Sequence, residues 1–146
     1  MTDRIEALKT LLTRLIDSRE GYRDAMDHVG STDIRGVFQE FMERRDRNAA
    51  EVRAHLVREG HSVPEDGSLL ASAHRLFVGL KDKVSSSKDA DTLTEVVRGE
   101  KVLLDAYDKA ITAESGADPE YHFLIAQHTS LKAAIAHLET RKDIAA

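Results

Sequence analysis

A chain of 146 residues can enclose one hydrophobic core, and a single domain over residues 1–146 is expected. Its 21 Lys and Arg stand against 26 Asp and Glu, and a net charge of −5 argues against a nucleic-acid binder, which needs a basic face to neutralise phosphates. Cysteine is absent, which removes disulfides, thiol nucleophiles and Cys-ligated metal sites together. No apolar run reaches the ~20 residues of a bilayer span. The opening MTDRIEALKT is charged and periodic, unlike a signal sequence, so a cytoplasmic protein with no membrane partner is expected.

In chain order, Thr2 offers a cap to a first helix expected over 3–28. Its apolar positions Ile5, Leu8, Leu12, Leu15, Tyr22 and Met26 follow steps of three and four, the mark of one buried seam. Gly30 is the expected stop. Ser31 to Asp33 cap a second helix, 33–59, whose seam runs through Ile34, Phe38, Phe41, Val52 and Leu56 to Gly60. GHSVPEDG at 60–67 reads as a loop. A shorter amphipathic helix is expected over 69–84, then an interruption at SSSKD. The third long helix, 91–114, buries Leu93, Val96, Leu103, Leu104, Tyr107 and Ile111. The fourth, 119–142, buries Tyr121, Leu124, Leu131, Ile135 and Leu138.

Four helices of this length, each roughly 35–40 Å long, form an all-α four-helix bundle. The connection from Gly60 to Asp89 is too long for a hairpin. Its helix would span ~24 Å and return the chain along the bundle, making the second and third helices parallel. That single long crossover is the ferritin-like arrangement.

The residues that interrupt the seams carry the information. Arg19 stands between Leu15 and Tyr22, Arg45 between Phe41 and Val52, Glu100 between Val96 and Leu103, and His128 between Leu124 and Leu131. Counted from the end that holds the first turn, these positions differ in depth by ~8 Å at 1.5 Å per residue. One shared polar layer is therefore expected, with Glu20, Asn48, Tyr22, Tyr107 and Gln127 close enough in sequence to join it. Buried charges must pair, and the natural pairs are Glu100 with Arg45, and Arg19 with Glu20 or Glu100. The histidines at 28, 55, 61, 74, 122 and 137 are scattered and expected to be solvated.

A ferritin-like di-iron centre requires two Glu-x-x-His pairs besides two single Glu residues. No Asp or Glu in this chain is followed by His three residues later. The nearest case, Glu51 and His55, is four apart. Arg19 and Arg45 would bring permanent positive charge to the place of the cations. No cofactor is expected on this count. The alternative ligand set is Glu20, Glu100 and His128, holding iron or manganese. No phosphate loop and no nucleophile elbow occurs.

DSREGYRDA (17–25) resembles the EGY signature in the first helix of an uncharacterised bacterial four-helix-bundle family of ferritin-like architecture. GVFQEFMERRDRNAAEV (36–52) is similar to its second helix, through Phe38, Arg45, Ala50 and Glu51. GSLLASAHRLFVGLK (67–81) resembles its crossover helix. RGEKVLLDAY (98–107) resembles its third helix, with Gln127 and Lys132 fitting the fourth. The family pattern often has His where this chain has Ile135, and an aromatic where it has Asn48 and His128. The resemblance implies architecture and no reaction. The expected function is a non-catalytic bundle whose Arg/Glu/His layer replaces a di-iron centre, acting by binding or assembly, with homo-oligomers and stress physiology as candidate settings. The alternative is an iron- or manganese-binding oxidase or storage protein.

Overall fold

Seams of three-and-four spacing become helices because each buries one apolar stripe against its neighbours. The computed structural model describes residues 2–61, 63, 89–114 and 121–145. They form α1 (Thr2–Met26), α2 (Thr32–Arg58), α3 (Asp89–Glu114) and α4 (His122–Ala145), an all-α bundle without strands among the described residues. Every observed end lies within three residues of expectation. The helix expected over 69–84 lies outside the described residues. No described helix is long and apolar enough to cross a membrane.

Helix α1 packs along both α2 and α3, α3 packs along α4, and α2 touches α4 only lightly. Two polar contacts fix the directions. At one end, Asp89 accepts hydrogen bonds from the backbone N–H groups of Gly30 (2.9 Å) and Ser31 (3.2 Å), while Thr92 Oγ1 donates to the His28 carbonyl (3.2 Å). At the other, Arg4 of α1 meets Glu114 at the end of α3. Helices α1 and α3 are therefore antiparallel. Since α1 and α2 form a hairpin, α2 and α3 run parallel.

The helix ends show why the boundaries fall where they do. Ser31 caps α2 by accepting from the Ile34 N–H, as its sequence position predicts. Gly30 was the expected stop of α1, yet it has no left-handed conformation. Instead, Arg35 reaches back to the carbonyls of Met26 and Val29, supplying the donors that a glycine turn would have supplied. Gly60 is different. Its φ of +83° lets the His61 N–H reach the Leu56 carbonyl and the Gly60 N–H reach that of Val57, a Schellman ending that holds Glu59 at the last turn.

The core is continuous from Leu8 to Leu138 and centres on Leu12, Leu15, Tyr22, Phe38, Val52, Leu103 and Leu131. Tyr22 packs its ring against Phe38 (5.6 Å) and edge-on to Phe41 (6.0 Å). Because α1 faces two helices, its buried face is wider than one seam and includes Leu11, Ile16, Asp17 and Ser18 as well.

Candidate functional sites: a mid-bundle ion pair and a cluster at the bundle end

At mid-depth, α2 contributes Arg45 and α3 contributes Glu100, both essentially without solvent exposure. Arg45 donates from Nε (3.1 Å) and Nη2 (2.8 Å) to Glu100 Oε2. The Tyr22 hydroxyl donates to the same oxygen at 2.7 Å, and Ser18 Oγ donates to Oε1 at 2.5 Å. Helix α1 thus supplies two neutral donors and α2 the countercharge, so the carboxylate has partners on both oxygens. Burial is the largest influence on Arg45 and lowers its affinity for a proton, but the Glu100 charge and hydrogen bond, with Tyr22 and Tyr107, together outweigh it and the guanidinium pKa is raised. Burial, followed by the Glu100 charge, pushes the Tyr22 hydroxyl well above the usual phenol range, with Arg45 offsetting only part. Tyr22 is accordingly a fixed donor at physiological pH.

Beside this pair, the Tyr107 hydroxyl donates to Gln127 Oε1 at 2.6 Å, which joins α3 to α4. Burial also raises the Tyr107 pKa. Five of the residues expected in a polar layer, Arg45, Glu100, Tyr22, Tyr107 and Gln127, are buried together, and Asn48 is half-buried. Three are not in it. Arg19 sits at the edge of the α1–α2 interface, bonded to Glu20 and Asp46, and Glu20 turns outward to Arg19 and Arg23. The long Arg19 stem allows its head to reach the surface. His128 is half-buried and pairs with exposed Asp108 at 2.8 Å. On α1 the buried seam passes through Ser18 rather than Arg19, and on α4 through Gln127 rather than His128.

The alternative ligand set of Glu20, Glu100 and His128 is consequently not gathered. Glu100 is engaged by Arg45, Tyr22 and Ser18, while Glu20 and His128 are paired elsewhere. The donors at the bundle centre do not fit a pair of divalent ions. One carboxylate, a guanidinium that cannot lose its proton, two phenols and an amide lack both the ligand number and the charge.

Among the described residues, one group of His and acidic side chains has metal-like proximity, and it lies at the opposite end from the first turn. It consists of His55, Glu59 and Glu114. His55 was expected in solvent and is instead 1% exposed, with its ring 5.3 Å from that of Phe123. Arg4 Nη1 bridges Glu59 Oε2 (2.9 Å) and Glu114 Oε1 (2.8 Å). The hydrogen bonds to Glu59, and then to Glu114, raise the Arg4 pKa. The signal that could have found His55 is its spacing: it adjoins Leu56 in the seam and precedes Glu59 by four, on one helix face.

Sequence reading also missed Asp17, a buried residue whose two carboxylate oxygens have no hydrogen-bond partner among the described residues. Burial lifts its carboxyl to about 7, against a smaller downward pull from Arg14, 4.0 Å away, and from Arg98.

Fold and sites together define a helical bundle protein whose central layer is an internal ion pair. The chain belongs to the family described as Domain of unknown function (DUF2383), whose family model matches residues 3–113. No curated protein and no solved structure matches it.

Proposed function

We propose that this is a ferritin-like bundle that acts by binding or assembly, its Arg45–Glu100 pair standing where metal-dependent relatives of this architecture carry two cations. The observation that carries the reading is the engagement of both Glu100 oxygens by Arg45, Tyr22 and Ser18. A carboxylate so held fixes three helices in register. A surface for binding supports the second half of the reading. Between α1 and α2 lies an open groove of about 500 Å³ with Ala49, Ala50, Ala54 and Val57 along it and Arg53 and Arg58 beside them. Val57 is 58% exposed there, an apolar side chain next to cationic ones, which suits a partner with mixed apolar and acidic character. Stress physiology is the setting we assign to such a partner.

The test is metal analysis of protein from iron-supplemented cells, beside a Glu100→Gln variant. The expected result is an identical metal content in the two. Two iron ions per chain that disappear in Glu100→Gln would overturn the reading. Light scattering over a concentration series tests the assembly mode: growth in particle mass supports it, and a constant monomer removes it.

A further inference from the structure

Both clusters leave buried polar atoms without partners, but of opposite kinds: the central layer leaves the donors Arg45 Nη1 and Gln127 Nε2, and the bundle end leaves atoms with lone pairs. Among the described residues, neither ring nitrogen of buried His55 has a hydrogen-bond partner, and Glu114 Oε2 has none either, although that side chain is 0% exposed. Burying such atoms loses their hydration with nothing in return. His55 Nε2 lies 3.5 Å from Glu59 Oε2 without a hydrogen bond. One imidazole nitrogen and two carboxylate oxygens thus fall within 4.8 Å of one another. Ligand atoms around a tetrahedral zinc ion stand about 3.4 Å apart, a spacing that small side-chain rotations reach from here.

Charge points the same way. Among the described residues two carboxylates face one guanidinium, which leaves an anionic excess beside buried Glu114. Arg4 binds Glu114 through Oε1 and leaves Oε2 free. It can remain as an outer partner that orients both carboxylates while a cation takes the inner side.

We propose that His55, Glu59 and Glu114 bind one divalent transition-metal ion, with Arg4 holding the two carboxylates. The imidazole selects the zinc, manganese or iron(II) class over magnesium and calcium, which favour all-oxygen sites. Three protein ligands leave a coordination position for water. Helices α2 and α3 end here, and the ion would join those ends. This site is separate from the central layer and stands whether or not the proposed function does.

The experiment uses the untagged full chain, stripped with a chelator and titrated with zinc by calorimetry and with cobalt(II) by ligand-field absorption. One ion per chain is expected. Glu59→Gln, at a partly exposed position that the fold tolerates, is expected to weaken binding about tenfold or more. His55→Gln and Glu114→Gln are expected to do the same, with circular dichroism reporting the fold, whereas Glu100→Gln keeps the ion. Absence of binding overturns the site. Unchanged affinity in folded Glu59→Gln also overturns it. An ion lost in Glu100→Gln but kept in Glu59→Gln overturns both this site and the proposed function.

Discussion

Two buried glutamates on one face of α3, Glu100 and Glu114, each meet an arginine from another helix, yet their surroundings differ. Glu100 receives Arg45, Tyr22 and Ser18, and both of its oxygens are engaged. Glu114 receives Arg4 on one oxygen and nothing on the other, with an unpartnered imidazole close by. What the first arrangement leaves over are the donors Arg45 Nη1 and Gln127 Nε2, which cannot ligate a cation, and it serves the fold. The second leaves lone pairs of an imidazole and a carboxylate unmet in a buried place, and those are what a cation completes. The balance between donors and acceptors, rather than the presence of charge, separates a structural layer from a binding site.

Four measurements sharpen or break this contrast. Glu100→Leu strands Arg45 and is expected to cost about 3–5 kcal/mol in urea denaturation, whereas a double replacement with Arg45→Met restores most of the loss. A change within about 0.5 kcal/mol for the single variant would contradict the buried pair. Asp17 gives the next effect. Its folded carboxyl titrates near 7 against an ordinary 3.8, so the native state holds a proton that the unfolded state has released. Its contribution to stability therefore falls as pH rises between those values, by at most about 1.4 kcal/mol per pH unit, and is level above them. Asp17→Asn should remove that slope relative to wild type. Glu114→Gln loses one charge-assisted bond, not four, and is expected to cost about 1–2 kcal/mol without added metal. His128→Ala removes an exposed-side pair with Asp108 and should stay within about 0.5 kcal/mol.

Most of the bundle was legible in the sequence, because three-and-four spacing in α2 and α3 has few other solutions. The pairing of Arg45 with Glu100 followed from seam logic as well, since a charge inside an apolar stripe has to meet its opposite. The reading lost accuracy on α1. A helix packed against two neighbours buries more than one stripe, so Asp17 and Ser18 are interior and Arg19 lies at the margin. The same one-residue shift exchanged His128 for Gln127 on α4. The cluster at the far end was hidden for another reason. His55, Glu59, Glu114 and Arg4 come from three helices, and only the first two share a local spacing. Tertiary packing alone brings the others to them.

The clasp of Asp89 on Gly30 and Ser31 also resists separation of α3 from the α1–α2 turn. Arg4 makes the corresponding tie at the far end, where α2 and α3 finish. Amide protons of the last turns, around residues 55–59 and 110–114, should exchange ahead of those at mid-helix, around 41–45 and 100–104. A cation seated among His55, Glu59 and Glu114 would slow that exchange, turning two helix ends into a latch.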